Sequence, residues 1–560
     1  MGSGREFLIA GRNGQRQKGD FMIPAIHGKE LYTEGTCTAA GRNIFFQGEK
    51  EPGGTKQAEM LYEPTGAEQV SVFCERLAAA GIQTSFSEGV SDEQASGGLL
   101  LKIDQSADLK GRQGAYRLEI EPERICISAA DSEGTANALT TLYWSLRDGN
   151  GTCRCAVIED APKHAYRGFM LDCCRHFFDV DQVKKMIEQC ALRKINRLHW
   201  HLSEDQGFRL ESELFPKLNE VGSVRTEEDG TLYQGYYKKE EVRDIVHYAK
   251  VRGMEVIPEI DLPGHVSAIV AAYPQLSCSC EPLKVQTTWG VFPRILCVGK
   301  DEVMEFIGRL LDEVCALFPY EYFHIGGDEV PKDEWIKCPH CQRRIQKEGL
   351  KDEAQLQAWF TQQVQKELLK RGKKVICWND VLFSDRELED TCIQYWAEFE
   401  TLIDPEAAKK HAYIFSIIRG FYFDYIPKEV PLRNTYQFEP ELKCGLKLEG
   451  ENLLGFEAPL WSEHILDGDR LEQMAFPRML ALAERAWNGE RTYEEFLGRC
   501  REEIECLKAD GVSSFTIEEA DPAEEKRDPA EEKTDSAEEK TDSAEEKTDS
   551  AEEKADPAEQ

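Results

Sequence analysis

Residues 322–330 read Tyr-Phe-His-Ile-Gly-Gly-Asp-Glu-Val and place two carboxylates directly after a short apolar run and two glycines. The apolar run predicts a buried strand, and the glycines predict a tight turn that lets another group approach closely. Because adjacent carboxylates repel, one can stay ionised while the pKa of its neighbour rises and that neighbour keeps a proton. Acid-assisted cleavage of a glycoside requires such a pair. For this stretch alone, an acidic surface turn is the alternative interpretation.

Strands and helices alternate in the sequence on both sides of this stretch. Apolar runs predict eight strands, at 168–172, 195–201, 254–260, 321–326, 374–378, 392–396, 412–417 and 453–461. Amphipathic segments predict helices at 180–192, 240–252, 302–317, 353–370 and 470–487, whereas the helix after the seventh strand has no clear signal. The pattern is α/β and favours a (β/α)8 TIM-type barrel over residues 161–515. An open doubly wound sheet built from the same elements is the alternative.

The regions on either side of the barrel have different compositions. Residues 1–160 predict a small α+β supporting domain, with strands at 99–103, 115–120 and 125–128 and helices at 67–80 and 133–147. Residues 516–560 predict a disordered acidic tail of heptapeptide repeats. Within that tail, residues 521–560 carry 17 acidic and 6 basic side chains, and alanine is nearly the only apolar residue of each repeat. This composition is too polar for the seam of a coiled coil.

Charge and cysteine usage exclude some classes of partner. A net charge of −35 argues against binding the phosphate backbone of a nucleic acid. No run approaches the roughly 20 apolar residues that would span a bilayer, so we expect no membrane association. The first residues lack the apolar stretch of an export signal, and 19 cysteines are scattered through predicted strands and helices. Both observations predict free thiols in a reducing cytoplasm.

Acidic, basic and aromatic side chains follow the predicted strands with some regularity. The active site of such a barrel lies at the carboxyl ends of its strands. Aromatic faces cover the apolar side of a sugar ring, and carboxylates or arginine bind its hydroxyl groups. The sequence therefore predicts a sugar pocket lined by Asp172, Arg175, His199, His201, Glu204, Asp205, Glu259, Asp261, His265, Asp328, Glu329, Trp378, Trp396, Tyr422, Asp424, Trp461 and Glu463.

Four blocks, in this order, resemble glycoside hydrolase family 20, the β-N-acetylhexosaminidases. They are Arg-Gly-Phe-Met-Leu-Asp at 167–172, Leu-His-Trp-His-Leu at 198–202, Pro-Glu-Ile-Asp-Leu-Pro-Gly-His at 258–265 and His-Ile-Gly-Gly-Asp-Glu at 324–329. The resemblance extends over roughly residues 60–490 and includes a small domain before the barrel. Two positions depart from the family pattern: Glu204 stands where the family often has Asp, and Phe208 replaces a common tryptophan.

The resemblance implies retaining hydrolysis in which the 2-acetamido oxygen of the substrate is the nucleophile and forms an oxazolinium ion. Asp328 would stay ionised, hold the acetamido N–H and stabilise the positive charge that develops. Glu329 would protonate the leaving oxygen and then activate water. His265, linked to Glu204 or Asp205, would tune that acid, and Tyr422 would donate a hydrogen bond to the acetamido oxygen.

The remaining residues that the resemblance implies would bind the sugar. Trp378, Trp396 and Trp461 would wall the acetamido methyl and the ring, and Asp261 would contribute to binding. Arg175, Asp424 and Glu463 would hold ring hydroxyls, which favours a terminal sugar and exo action. The implied partner is an oligosaccharide or glycoconjugate that ends in N-acetylglucosamine or N-acetylgalactosamine. The resemblance implies neither a cofactor nor a metal, and the oligomeric state stays open.

Other functions fit parts of the sequence. His199 and His201 lie on one face of a strand and, with His265, would suit a metal-dependent hydrolase or deacetylase; histidines held by hydrogen bonds beneath the pocket are the simpler interpretation. Cys338 and Cys341 have the spacing of a zinc knuckle, with Cys278 and Cys280 as a conceivable second pair, but we predict free thiols there. A glycan-binding protein without catalysis is a further alternative, against which the intact pair of acids argues.

Overall fold

The protein is described by a computed structural model that covers residues 22–26, 28–48, 64–88, 98–105, 107–384, 388–398, 405–448, 450–487 and 491–522. Within these residues the chain forms an N-terminal sheet with two long helices, followed by a closed barrel. Among the helices described, none combines the length and the apolar character that crossing a membrane requires.

The N-terminal unit is a seven-stranded mixed sheet. In chain order its strands are Lys29–Thr38, Asn43–Gly48, Ser85–Glu88, Leu99–Gln105, Tyr116–Ile120, Arg124–Ala129 and Thr152–Asp160. Numbered in that order, they lie side by side as 1-7-5-6-4-2-3. Helices Gly66–Ala79 and Ser132–Asp148 pack on the sheet through alternating and helically spaced apolar side chains, among them Phe73, Leu118 and Leu142. The strands and helices predicted between residues 67 and 147 match these elements, although one predicted helix ends one residue later, at 80, and one predicted strand begins one residue earlier, at 115.

The second unit is a barrel of eight parallel strands that closes on itself. The strands are Tyr166–Asp172, Arg197–His201, Glu255–Glu259, Tyr322–His324, Lys374–Trp378, Thr391–Tyr395, Ala412–Phe415 and Leu453–Leu460, referred to below as barrel strands one to eight. Strand eight pairs in parallel with strand one, from Gly455 opposite Tyr166 to Leu460 opposite Leu171. All eight predicted strands and the barrel are confirmed, and closure excludes the open doubly wound sheet.

Helices surround the barrel and lie in its loops, at Val180–Ala191, Lys217–Glu220, Lys239–Val251, Ser267–Ala272, Asp301–Cys315, Asp333–Lys337, Pro339–Glu348, Glu353–Lys370, Pro405–Ala408, Ile418–Phe421, Leu432–Tyr436, Gly468–Ala475, Arg478–Trp487, Tyr493–Ala509 and Ile517–Ala520. In the described residues between strands seven and eight, the α-helices are two short ones of four and five residues. These are too short for a periodic signal, which explains why no helix could be predicted there. Trp335, Trp359 and Trp487 are buried in the core.

Two predicted boundaries differ from the structure. The single helix predicted over 470–487 is two helices, because Pro477 has no N–H to donate and its ring would collide with the preceding turn. The prediction of a disordered tail from residue 516 is wrong for residues 516–522, which are part of the folded chain. Ile517 and Ala520 are buried there, and Asp521 accepts a 2.7 Å hydrogen bond from Arg433 Nε. The predicted disorder of 523–560 lies outside the described residues.

The N-terminal unit contacts the barrel at the amino ends of the first two barrel strands. Glu133 accepts hydrogen bonds from Arg167 Nη2 at 2.7 Å and from Asn196 Nδ2 at 3.0 Å. Trp144 Nε1 donates to the Leu192 carbonyl at 2.9 Å. Asp328 and Glu329 follow the carboxyl end of barrel strand four, so these contacts support the barrel at the opposite end from the predicted site.

Candidate active site

A layer of buried carboxylates and histidines crosses the barrel beneath its carboxyl end. Both oxygens of Glu259 are occupied: Oε1 lies 3.0 Å from His324 Nδ1 and from Trp378 Nε1, and Oε2 contacts His199 Nε2 at 3.0 Å and His201. Burial raises the pKa of Glu259, but the three histidine rings lower it more, and the pKa lies well below its usual value. We call these residues, together with Glu457, the lower layer.

Glu457 completes the lower layer from barrel strand eight. Its Oε1 lies 2.8 Å from His199 Nδ1 and accepts from Gln394, and its Oε2 accepts from the Tyr166 hydroxyl. Burial lowers the pKa of His199, but Glu457 and Glu259 together raise it to about 9. His199 is therefore an imidazolium at neutral pH, and its two nitrogens face carboxylates. In the described part of the chain, His199, His201 and His265 fall into different groups of possible ligands, and no group combines them as the alternative of a metal-dependent hydrolase requires.

The Gly-Gly-Asp-Glu turn is held in place by Asp261, which follows barrel strand three. Gly327 N–H donates to Asp261 Oδ1 at 3.0 Å. Gly326 has a φ of +64°, and a Cβ atom there would lie 1.8 Å from Asp261 Oδ1, so only glycine fits. Glu329 also has a positive φ, of +47°, which is a strained conformation for a residue with a side chain. This strained turn directs the two adjacent carboxylates to one side of the mouth.

Asp328 and Glu329 differ in environment. The side chain of Asp328 is 12% exposed and that of Glu329 is 41% exposed. Burial raises the pKa of Asp328 to about 7, with contributions from Asp380 and Glu259, although the charge of His265 opposes the shift. Its Oδ1 is buried and has no hydrogen-bond partner among the described residues. Asp328 is thus a carboxylate with one open acceptor, whereas Glu329 reaches solvent.

His265 links this pair of acids to a second pair. Its Nε2 lies 3.5 Å from Glu329 Oε2 and 3.9 Å from Asp328 Oδ2. Its Nδ1 lies 2.8 Å from Glu204 Oε1 and 3.2 Å from Asp205 Oδ2. Burial lowers the pKa of His265, but Glu204, Asp205 and Glu329 raise it well above its usual value. The imidazolium is therefore placed to transmit the charge of the Glu204–Asp205 pair to Glu329.

Glu204 also holds the arginine of the predicted pocket. Its Oε2 lies 3.1 Å from Arg175 Nη2 and 3.2 Å from His201 Nε2. Burial raises the pKa of Glu204, but Arg175 and His265 lower it well below its usual value. Arg175 is also 3.3 Å from Asp172 Oδ2 and 3.7 Å from Glu463 Oε1. The longer side chain at position 204 thus bridges His265 and Arg175.

Three tryptophans and a tyrosine form an aromatic wall of the mouth. The rings of Trp378 and Trp461 lie 5.9 Å apart, and those of Trp396 and Tyr422 lie 6.2 Å apart in a stacked arrangement. The Tyr422 hydroxyl is hydrogen-bonded with Trp461, and burial together with Asp424 raises the pKa of this hydroxyl well above its usual value. It stays protonated and can donate a hydrogen bond into the space that these rings enclose.

Charged groups close the side of the mouth near barrel strand eight. Arg175 lies over the Trp461 ring, 4.9 Å from its centroid, and its Nε is buried without a partner in the described part of the chain. Asp424 Oδ1 is likewise buried with no hydrogen-bond partner there. Burial and the nearby Glu463 raise the pKa of Asp424 well above its usual value. These open donors and acceptors suit the hydroxyl groups of a sugar.

The predicted site residues thus converge on one mouth, and their individual roles stay predictions. Asp380, which follows barrel strand five, was not assigned a role from the sequence. It accepts hydrogen bonds from Glu329 N–H at 3.1 Å and from Trp396 Nε1 at 2.8 Å. Asp172 was placed at the strand end but given no function; its Oδ2 accepts from Ser462 N–H at 3.0 Å and faces Arg175. Their strand-end positions were the only available signal.

Comparison with known proteins adds family-level relationships. Profiles described as "Glycosyl hydrolase family 20, catalytic domain" and "Glycosyl hydrolase family 20, domain 2" match residues 164–490 and 53–161. A β-hexosaminidase of Porphyromonas gingivalis is 38% identical over 443 residues, which cover 75% of this chain and 56% of that protein. A β-hexosaminidase of Vibrio furnissii is 33% identical, with 69% of this chain and 67% of that protein covered. The chain therefore spans little more than half of the first relative.

Solved structures give the same relationship. A β-N-acetylhexosaminidase from Bacteroides fragilis superposes with a TM-score of 0.74 at 30% identity, over 89% of this chain and 97% of that one. An exo β-N-acetylglucosaminidase from Vibrio harveyi, solved in complex with N-acetylglucosamine, gives a TM-score of 0.74 at 27% identity, over 89% of this chain and 79% of that one.

Proposed function

Because the chain belongs to glycoside hydrolase family 20, we propose that it removes terminal β-linked N-acetylhexosamine from an oligosaccharide or glycoconjugate, with retention and through an oxazolinium ion. The observation that carries the proposal is the arrangement of Asp328 and Glu329 on one histidine. His265 Nε2 lies 3.9 Å from one carboxylate and 3.5 Å from the other, beside a wall of tryptophans. Asp328, with its open and buried acceptor, suits the residue that holds the acetamido N–H. Glu329, which reaches solvent, suits the general acid and base.

In the first step the acetamido carbonyl oxygen attacks the anomeric carbon while the bond to the leaving oxygen breaks. Asp328 accepts the acetamido N–H through its open Oδ1, and this hydrogen bond draws its pKa down from about 7, so that the carboxylate faces the growing positive charge. Glu329 gives its proton to the leaving oxygen. The Tyr422 hydroxyl donates a hydrogen bond to the acetamido carbonyl oxygen and so orients that oxygen toward the anomeric carbon.

In the second step water attacks the anomeric carbon and the oxazolinium ring opens. Glu329, now a carboxylate, takes the proton of that water. Water can reach Glu329 because its side chain is 41% exposed, whereas the side chain of Asp328 is more buried. The sugar leaves with the configuration it had in the substrate, because two displacements at one carbon have occurred.

Exo action follows from the charged side chains that line the mouth near barrel strand eight. Asp424, Glu463 and Arg175 would bind the hydroxyl groups of a terminal ring, and Arg175 and Glu463 are held 3.7 Å apart. A ring substituted at those hydroxyls would displace their hydrogen bonds. We also propose a cytoplasmic location, supported by the nineteen cysteines, none of which forms a disulfide. Detection of the native protein only in a culture's extracellular fraction would contradict that location.

Glu329→Gln separates this mechanism from the alternatives. We expect turnover of a β-N-acetylglucosaminide with a poor leaving group, such as chitobiose, to fall by about 10²–10⁴-fold. Release of p-nitrophenol should fall far less, because nitrophenolate leaves without a proton. Initial rates on both substrates check this, and equal losses would contradict a general acid at position 329.

Two controls accompany that experiment. Glu367→Gln changes a carboxylate on the outer helix Glu353–Lys370, where Glu367 pairs with Lys370, and should keep both rates. A thiazoline that mimics the cyclic ion should inhibit the unmodified protein competitively. A thiazoline without effect, combined with rates that need added metal, would favour the metal-dependent hydrolase.

A further inference from the structure

Four cysteines from three separate segments meet next to the mouth of the barrel. They are Cys278 and Cys297, in the loop after barrel strand three, and Cys338 and Cys341, at the start of helix Pro339–Glu348. Sγ of Cys297 lies 3.6 Å from that of Cys338 and 3.7 Å from that of Cys341. Sγ of Cys278 lies 3.8 Å from that of Cys341, and all four sulfurs fall within 4.8 Å of one another.

These distances fit a metal better than they fit disulfides. A disulfide joins two sulfurs at about 2.05 Å, and two of these sulfurs each have two neighbours at nearly equal distance. Four thiolates around a tetrahedral zinc ion, each about 2.3 Å from the metal, lie about 3.8 Å apart. The sequence alone suggested Cys280 as the partner of Cys278, but Cys280 is exposed and instead contacts Lys300 at 3.0 Å. The fourth member of the cluster is Cys297.

The surroundings suit a cluster that carries net negative charge. Gly299 N–H donates to the Cys341 sulfur, and Gly299 permits this approach, because a Cβ there would lie 2.3 Å from Cys341 N. Lys300 is buried and holds the carbonyls of Gln275 and Ser277 at 2.7 and 2.8 Å, beside the loop that carries Cys278. Arg344 is buried as well and contacts the Gly299 carbonyl at 3.4 Å. Four thiolates with one zinc ion carry a net charge of about −2, and Lys300 and Arg344 place two positive charges in the surrounding segments.

We propose that Cys278, Cys297, Cys338 and Cys341 bind one zinc ion, which fastens the loop after barrel strand three to the helix after barrel strand four. Soft thiolate ligands in a tetrahedral set of four select zinc over calcium, magnesium or manganese. All four positions are filled by protein, so the ion has a structural role and leaves no position open for water or substrate. The proposal does not rest on the hydrolase function.

The zinc ion would brace the loops that position His265 and the acid pair. Leu296, next to Cys297, donates its N–H to the Pro263 carbonyl at 3.1 Å, two residues before His265. Trp335 Nε1 donates to the Leu296 carbonyl at 2.8 Å. Earlier in the same loop, Gln286 N–H donates to the Asp205 carbonyl at 3.1 Å, and the Thr288 carbonyl accepts from Gln206 Nε2 at 2.7 Å. Loss of the ion would therefore loosen one wall of the mouth.

Metal content of the whole chain tests the proposal. The protein, purified under reducing conditions and dialysed against a chelator, should retain about one zinc per chain by inductively coupled plasma mass spectrometry. Cys341→Ser and Cys338→Ser should each lose most of that zinc. Cys280→Ser, a matched change two residues from Cys278 and outside the cluster, should keep it. Retention of zinc in both cluster variants would overturn the assignment.

Two measurements keep the test decisive if the variants fail to fold. In the unmodified protein, cobalt grown in place of zinc should give the strong sulfur-to-cobalt charge-transfer absorption of a tetrahedral thiolate site. Alkylation of the native protein should spare these four cysteines and modify them only after the zinc is released by a mercurial reagent. A metal-free protein whose four thiols react at once, or one that carries iron instead, would overturn the zinc site.

Discussion

Carboxylates are buried at two depths of the barrel, and their surroundings differ. In the lower layer both oxygens of Glu259 and of Glu457 have partners on histidine, tryptophan, glutamine or tyrosine. One level higher, at the mouth, Asp261, Asp328 and Asp424 each have a buried oxygen without a partner in the described chain. The protein thus supplies hydrogen-bond partners for the carboxylate oxygens of the lower layer and leaves a carboxylate oxygen of each of these three residues at the mouth without one.

The difference separates stability from function. A buried polar group without a partner costs free energy, and the two carboxylates of the lower layer avoid that cost because each of their oxygens has a partner. Asp261, Asp328 and Asp424 keep that cost, and their pKa values are raised because their burial is not balanced by partners. Open acceptors at the mouth can be satisfied only by a bound molecule, which makes them candidates for recognition rather than for holding the fold.

Glu259→Gln should break the lower layer and give the largest effect. It removes the charge that faces the imidazolium of His199 and the ring of His201, and we expect the free energy of unfolding to fall by about 3–5 kcal/mol. The pKa of His199 is about 9 in the folded protein and about 6.5 when unfolded. Its stabilising charge is therefore present below pH 6.5 and lost as the pH rises through 9. Urea unfolding at pH 6 and pH 9.5 should show that slope in the unmodified protein and a reduced slope in the variant.

Asp424→Asn is the matched change at the mouth. It changes a buried carboxyl that faces no imidazolium. Burial and Glu463 already raise the pKa of this carboxyl. We expect no loss of unfolding free energy beyond about 1 kcal/mol. A loss as large as that of Glu259→Gln would contradict the division between the two levels.

Asp328→Asn should slow the reaction without weakening the fold. It replaces the charge opposite the developing oxazolinium by a neutral amide, and kcat should fall by about 10²–10³-fold, as for removal of one electrostatic stabiliser. Because folding raises the pKa of Asp328 from 3.8 to about 7, the ionised form destabilises the folded protein at pH 8. The variant should then be more stable at pH 8, by on the order of 1 kcal/mol. Unchanged kcat would remove Asp328 from the mechanism.

The pH dependence of kcat/KM gives a smaller test of the same residue. The free protein needs Asp328 ionised, so kcat/KM should fall about tenfold per pH unit below about pH 7. The substrate N–H favours the ionised form, and the corresponding fall in kcat should lie at lower pH. In Asp328→Asn the acidic limb should disappear, and the difference from the unmodified protein should shrink toward pH 5. A limb that survives the substitution would belong to another group.

The barrel was predictable because its strands are coded locally. Each is a short apolar run followed by polar residues, and such runs depend little on distant parts of the chain. The predictions differed where local rules compete: Pro477 interrupts a continuous amphipathic pattern, and residues 516–522 pack on the barrel although the composition beyond them is acidic. Sequence periodicity does not reveal a partly buried contact between distant residues, such as that of Asp521 with Arg433.

The site was predictable in position but not in its connections. Strand ends and the family blocks located Asp328, Glu329 and His265, yet nothing local indicates that Asp380 accepts from the backbone of Glu329. The cysteine cluster shows the same limit. Cys338 and Cys341 form a visible pair, whereas Cys278 and Cys297 reach them through an irregular loop whose path the sequence does not specify.

Glu204→Asp should give the smallest effect and sharpen the comparison inside the mouth itself. The shorter side chain cannot bridge His265 at 2.8 Å and Arg175 at 3.1 Å, but Asp205, 3.2 Å from His265, keeps that ring in place. We therefore expect KM to rise roughly threefold to tenfold, about 1 kcal/mol, with kcat nearly constant. Initial-rate kinetics check this, and Glu204→Gln is the contrasting variant, because it keeps the length and removes the charge near His265. If Glu204→Asp lowered kcat and left KM unchanged, position 204 would act through His265 and the acid pair, and Arg175 would owe its orientation to Asp172 and Glu463.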